Sequence, residues 1–416
     1  MRIAFVTVEF VTEPNYHGGL SNALYRLCLS LRSLGHEPVV VVSSDRNETF
    51  RRGEIEVHRV RIAKGPIFRL LDRLTRRRLR GTLFWLFQSR RLNRALRALH
   101  DRKPFDLVQY ASCAATGLFR PRGLPAVVRI SSFLPWWNRA YEVPRTLDVR
   151  TVERLEEIAF RRADGLFAPS FVNARAVQAA TGRPVQVLQT PFFLECRALD
   201  DGAVDDALRG TRYLLFFGTI GLVKGAGVIA AMIGELLARH PDLRFILAGK
   251  SLVHGGKSMA EIVREGAGPC RDRVLHFAEM PHERLYPIVR DAFAVVLPSR
   301  IDNFPNTCLE AMAYGKVVVG TRGASFDQIL EDGETGFLCE RDDPADLLRV
   351  VERVLALTDA ERAGIGERAR LRVHELRPEK TLPRLLDFYD AVIAGARAGA
   401  AGAAASARRK AAAESR

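Results

Sequence analysis

The 416-residue chain lacks several things, and each absence closes off a class of function. No apolar run approaches the ~18 residues that a membrane-spanning helix needs. The opening MRIAFVTVEF carries Glu9 inside its apolar stretch and has no small-residue cleavage site, so it reads as a first buried strand. Six cysteines, at 28, 113, 196, 270, 308 and 339, include no CxxC pair, and the nine histidines include no HxH or HxxxH. Neither a zinc site nor a disulfide framework is expected, no metal is required, and the scattered thiols suit a reducing, cytoplasmic setting. No GxGxxG links a first strand to a first helix, which argues against a dinucleotide cofactor. Gly249-Lys250-Ser251 and Gly256-Lys257-Ser258 lack the leading glycine of a P-loop, whose place falls on Arg244 and Ser251.

What remains is an ordinary folded composition, 47% hydrophobic and 27% charged, long enough for two or three domains. The net charge of +15 is local. Residues 64–103 hold 13 Lys/Arg against two Asp, the last 23 residues hold five basic and one acidic, and these stretches carry the whole excess. From about 394 the chain is Ala/Gly/Arg of low complexity without a large apolar side chain, and a disordered tail is expected over 394–416.

One rhythm occurs twice: an apolar strand, a glycine-bearing loop, an amphipathic helix. It begins with RIAFVTVEF (2–10), Gly18-Gly19 and SNALYRLCLSLRSLG (21–35), and restarts with YLLFFG (213–218) and GVIAAMIGELLARH (227–240). Strands RFILAG (244–249), VLHFAE (274–279), AFAVVLPS (292–299) and KVVVG (316–320) follow with helical segments between them. This alternation predicts two parallel sheets covered by helices, with a linker near 196–211.

Three loops have the chemistry for a site. In FGTIGLVKG (217–225), glycines precede Lys224 at the start of a helix, a natural place for a diphosphate; a solvated lysine on a surface loop is the alternative. In LPSRIDNFPNTCLEAMAYGKVVVG (297–320), Asp302 and Glu310 stand at the carboxyl end of a strand, where parallel sheets bind ligands. Thr307 to Glu310 also matches a capping box, in which Glu310 would only return to the Thr307 backbone. Tyr16-His17-Gly18-Gly19 permits close backbone approach before the first helix, or is a plain flexible loop.

Taken together these segments resemble the retaining glycosyltransferases of family 4, with the two-Rossmann GT-B fold. The resemblance rests on Gly18-Gly19, Gly35-His36, G-x5-KG from Gly218 to Gly225, the acidic-x7-Glu block in PSRIDNFPNTCLEAMAYGKVVV, and DGETGFLCERDDPADL (332–347) after it. It extends to about 393, where LDFYDAVIA (386–394) looks like the closing helix that returns to the N-terminal domain. It implies two doubly wound domains facing a central cleft: 1–195 with 378–393 for the acceptor, 196–377 for a nucleotide-sugar donor.

Within that resemblance, Lys224 would neutralise the leaving diphosphate, Glu310 would bind ribose hydroxyls, and Asp302 would face the transferred sugar. Gly18, Gly19, Gly218, Thr219, Asn303, Phe304, Pro305, Asn306 and Thr307 would line the donor, with Asn303 and Phe304 offering backbone N–H groups. Ser131 and Arg129 fall on the acceptor side, and Trp136 nearby either lines that side or simply packs a loop. The chain departs from the family in three places: Thr219 stands where an arginine usually follows the glycine, Asp302 replaces a glutamate, and Ser131 and Ser132 occupy the place of a histidine. A second phosphate-binding cation would have to be Arg300 or Lys250.

The basic stretch holds two amphipathic patterns, Leu70, Leu71 and Leu74, then Leu92, Ala95, Leu96 and Leu99, with Phe84, Trp85 and Phe87 between them. Basic helices with aromatic anchors suit an anionic membrane surface; two core-facing surface helices are the alternative. A lipid-linked or cell-surface glycan acceptor, on the cytoplasmic face of the membrane, would follow from the first; a soluble small-molecule acceptor, or a catalytically silent sugar-nucleotide-binding protein that Thr219 and Asp302 keep open, is the alternative. No nucleic-acid-binding motif accompanies the charge, so nucleic acid is not an expected partner.

Overall fold

Continuous apolar runs such as IAFV and VVVV are too short for buried helices and dense in β-branched residues, so they form strands covered on both faces. The computed structural model describes residues 1–13, 18–194 and 208–414, with backbone alone for 400–414. Its contacts divide the chain into two units, Met1–Pro191 with Pro378–Arg416, and Phe192–Arg377. The division at 191 lies a few residues before the expected 195, and most of the expected 196–211 linker lies outside the described residues, as do Tyr16 and His17.

The first unit opens with β1 (Arg2–Thr7), α1 (Gly19–Ser33), β2 (Glu37–Ser44), β3 (Glu48–Arg52) and β4 (Ile55–Arg61). Two basic helices follow, α2 (Pro66–Leu74) and α3 (Arg80–Arg102). Then come β5 (Leu107–Ala111), β6 (Ala126–Arg129), α4 (Leu134–Ala140), α5 (Leu147–Arg162), β7 (Gly165–Ala168), α6 (Phe171–Thr181) and β8 (Gln186–Val187). The sheet order is β3-β4-β2-β1-β5-β6-β7-β8. All pairings are parallel except β3 with β4, a hairpin that sequence analysis missed because ETFRR is a polar, exposed edge.

The second unit contains β9 (Arg212–Phe217), α7 (Ala226–Arg239), β10 (Leu243–Ala248), a small hairpin β11 (Val253–His254) and β12 (Lys257–Ser258), and α8 (Met259–Gly266). It continues through β13 (Val274–Phe277), α9 (His282–Asp291), β14 (Ala294–Leu297), α10 (Asn306–Ala313), β15 (Val318–Thr321), β16 (Phe337–Cys339), α11 (Pro344–Leu355) and α12 (Asp359–His374). Its parallel sheet runs β13-β10-β9-β14-β15-β16. The fold is therefore the expected pair of doubly wound α/β units.

The chain then rejoins the first unit as α13 (Pro378–Glu414). Leu382, Leu385, Phe388, Tyr389 and Ile393 recur at helical spacing and are buried with Ile3, Phe5, Leu107, Val127 and Phe167. Tyr389 donates its hydroxyl hydrogen to the Gln109 side chain at 2.5 Å, fixing the helix over β5. The segment from 394, expected without structure, continues α13 to Glu414, as suits alanine's helix propensity.

The two basic helices differ in what they bury. Leu92 and Leu96 of α3 lie fully in the core, and Asp148 accepts from the Gly81 and Thr82 backbone at the start of that helix. On α2, Phe68 is buried and meets Phe87 edge-to-face at 5.7 Å, whereas Ile67, Leu70 and Leu74 are 58–70% exposed. Trp85 packs beside Ala115, Leu118 and Ala159 of the first unit, so it is not an outward anchor. Among the described residues no helix is long and apolar enough to cross a membrane.

Candidate functional site

In the second unit β9 lies between β10 and β14, so the connections leaving β9 and β14 run to opposite sides of the sheet. A crevice opens at the carboxyl ends of such a strand pair, where open α/β sheets bind their ligands. Both informative loops of this unit leave from that point.

The loop after β9 is held along its length by backbone bonds. Gly218 N–H donates to Ala248 O, Ile220 N–H to Lys250 O, and Arg300 N–H to Val223 O at 2.8–2.9 Å. Gly218 has φ +109°, and a Cβ there would stand 3.2 Å from Thr307, so this loop touches the first turn of α10. Gly225, the N-cap of α7, has φ +85°, and a Cβ would fall 1.9 Å from Pro298 O. No other residue could let the two loops come so close. Lys224 sits at the end of that turn, immediately before α7.

The loop after β14 answers it. Asp302 is 8% exposed; its carboxylate accepts from the Lys224 ammonium at 2.5 Å and from the Asn303 backbone N–H at 2.9 Å. The Asn303 N–H, expected to face a ligand, is thus turned toward its own neighbour. Ser325, with φ 68°, donates its hydroxyl hydrogen to Asp302 O at 2.9 Å, a support with no sequence signal.

Glu310 is 4% exposed in the second turn of α10. The helix starts at Asn306 with Pro305 as N-cap, so Thr307 lies inside the first turn and the capping-box alternative does not hold. The fixed φ of Pro305 sets the helix start earlier than the Thr-x-x-Glu pattern suggests. Cys308 is buried against Met312 as a core residue, and burial raises its thiol pKa. Thr219 is exposed, Arg300 is bound to Asp342 at 2.6 Å, and Lys250 is exposed in the loop after β10, its carbonyl held by the residue after Thr219.

Gly18 and Gly19 lie in the first unit, where Gly18 is the N-cap of α1 with φ 76°. Arg129 ends β6, and its guanidinium donates to Thr190 Oγ1 at 3.2 Å. Desolvation brings its pKa down to about 10. Ser112 Oγ accepts from the Ser131 and Ser132 backbone N–H groups at 3.1 and 3.2 Å and shares a hydrogen bond with Ser131 Oγ at 3.0 Å. The turn after β5 places Ala114 and Ala115 at φ 60° and 48°, a strain usually found at functional sites. Trp136 is half-buried on α4 against Phe133. Beneath α4, Glu156 accepts from the Leu134 N–H at 2.9 Å, and burial pushes its carboxyl up to about 8.

Comparison with known proteins covers both units. Residues 18–192 match the family described as glycosyl transferase 4-like domain, and residues 211–357 match glycosyl transferases group 1. A D-inositol 3-phosphate glycosyltransferase of Corynebacterium jeikeium is 32% identical over 163 residues, 38% of each chain. The lipopolysaccharide core biosynthesis mannosyltransferase LpcC of Rhizobium leguminosarum is 28% identical over 200 residues, 47% of this chain and 55% of that one. The chain thus spans about half the length of such curated relatives, or less. Among solved structures, sucrose-phosphate synthase of Thermosynechococcus elongatus aligns over 95% of this chain and 99% of its own, with TM-score 0.72 and 18% identity. Anabaena HepE, solved with UDP and glucose, aligns over 94% and 100%, with TM-score 0.66 and 17% identity. At such identities these structures speak for the fold.

Proposed function

The chain belongs to the GT-B glycosyltransferases of the family-4 type, and from that membership we propose that it is a retaining glycosyltransferase. It moves a sugar from a nucleotide-sugar donor held by the second unit to a glycan or lipid-linked acceptor. One observation carries this reading: the tertiary fold brings Lys224 against Asp302 at the switch point of the second sheet, with Glu310 buried on the helix that follows.

The chemistry follows from that placement. As the glycosidic bond to the donor breaks, negative charge grows on the departing diphosphate. Lys224 and the first turn of α7 supply fixed positive potential for it, and α7 has no side-chain cap competing there. An incoming diphosphate shares Lys224 with Asp302, which frees that carboxylate for the sugar hydroxyls. Glu310 accepts from the ribose hydroxyls. Attack from the face that the diphosphate leaves, with a phosphate oxygen taking the acceptor's proton, retains the anomeric configuration. Lys250, beside Thr219, supplies the second cation, since Arg300 is bound to Asp342.

Residues 64–103 bring the enzyme to an anionic membrane surface. The support is the α2 stripe of Ile67, Leu70 and Leu74, exposed and interleaved with Arg69 and Arg73.

The test is a thermal-shift screen against UDP, GDP, ADP and their sugar conjugates, followed by transfer from whichever stabilises the chain. One nucleotide should raise the Tm, Glu310→Gln should abolish that rise, and proton NMR should give the donor's anomeric configuration in the product. No shift with any nucleotide and no transfer would overturn the proposal.

A further inference from the structure

In the first unit the order β2-β1-β5-β6 places a switch point between β1 and β5. A small cavity of about 10 Å³, partly open to solvent, lies there, lined by Thr7, Leu20, Gln109, Ala111 and Arg129 among others. It has room for one water, and an oxygen atom of an anion is the same size.

Arg129 is the anomaly at this place. It is 7% exposed, yet among the described residues its guanidinium has no carboxylate partner and one hydrogen bond, to neutral Thr190. The carboxylates of Glu9 and Glu156 act on Cys113, and neither is bonded to Arg129. A guanidinium has five N–H donors in a rigid fork, and burying its charge unpaired is costly. Proteins tolerate that cost where a ligand supplies the counter-charge. A second feature agrees in sign: Leu20, in the first turn of α1, lines the same cavity, and that turn contains no acidic residue and no side-chain cap.

The geometry points to Arg129 as the receptor for a phosphate-type oxyanion carried by the acceptor, one of whose oxygens enters the cavity at the first unit's switch point. The inference rests on the transferase reading only in calling the anion part of the acceptor. Arg129 binds the oxyanion with its fork, as arginine does with planar or tetrahedral oxygens. A soluble sugar phosphate and a phosphate on a polyisoprenyl lipid offer this same chemistry.

The test uses the full chain carrying Lys224→Ala and Lys250→Ala together, so that both cations proposed for the second unit's phosphate site are removed. Inorganic phosphate should raise the Tm over an equal ionic strength of chloride, and adding Arg129→Met should abolish that rise. In chloride alone Arg129→Met should melt no lower than its parent, because an unpaired buried charge has gone. If the Met variant fails to fold, Arg129→Lys decides: it keeps the charge without the fork, and should need about tenfold more phosphate for the same rise. No phosphate effect in the parent, or an undiminished one in the Met or Lys variant, overturns the proposal. A hexose phosphate and vesicles holding a polyisoprenyl phosphate then separate the two sources. The nucleotide screen, run on the unaltered chain, stands or falls independently of these results.

Discussion

Lys224 and Asp302, 78 residues apart in sequence, meet at 2.5 Å because Gly225 lets the turn after β9 lie against Pro298. The pair keeps the cation and the carboxylate on one side of the sheet. It also sets up a competition, since anything anionic that binds Lys224 must displace or share Asp302.

That competition has a sign. Asp302→Asn removes the carboxylate that holds Lys224 and would repel a diphosphate, so nucleoside diphosphate should bind roughly three- to tenfold tighter. Lys224→Ala should weaken it. Both should lower kcat by about a hundredfold or more, because in the proposed mechanism Asp302 faces the sugar and Lys224 carries the charge that meets the leaving group. Calorimetry with the nucleotide chosen by the thermal screen checks the first effect, and steady-state kinetics the second.

Gly225→Ala should be among the most damaging single-methyl additions in the second unit. Its Cβ would overlap Pro298 O at 1.9 Å with φ at +85°, so the loop must move, at a cost of about 2 kcal/mol or more. Gly255→Ala, at φ +57° with nothing within 4 Å of the added Cβ, should cost only about 1 kcal/mol. Thermal unfolding of the two variants side by side measures the difference.

Glu156 gives the first unit a pH dependence. Its carboxyl is raised from the ordinary 4.5 to about 8 by burial. Between those values the unfolded chain releases a proton that the folded chain keeps, so stability falls as pH rises through this window. Glu156→Gln retains an oxygen for the Leu134 N–H and should remove up to about 1.4 kcal/mol per pH unit of that slope. Denaturant unfolding at several pH values between 5 and 8 would show the flatter dependence.

Changing Ile67, Leu70 and Leu74 together to serine should leave the fold intact, since all three side chains are exposed. Binding to vesicles rich in anionic lipid should fall at least about tenfold, and added salt should weaken the parent's binding too. Vesicle co-sedimentation reads both. Equal binding by the triple variant would remove α2 from the membrane reading.

Periodicity and turn residues exposed much of this in the sequence. Short β-branched runs alternating with helical stripes required parallel sheets with helical cover, and the restart of that rhythm near 213 required a second sheet. Lys224, Asp302 and Glu310 could be singled out because they sit at ends of elements, where local pattern is most informative. The strand hairpin at 48–61 has no signal because its edge strand has no buried face, and the sequence leaves the α10 start ambiguous because a capping-box spacing competes with a proline.

The sequence by itself determined most of the order of elements, the two-sheet plan and the loops that bear the charged groups, since those depend on contacts within a few residues. Only the tertiary structure decided that Lys224 is bonded to Asp302, that Leu70 faces solvent while Leu92 faces the core, and that Arg129 is buried among the described residues without a carboxylate. Each of these depends on which distant segment packs alongside. A stripe of leucines or an isolated arginine looks the same in sequence whether its neighbour is water, a sheet or another charge.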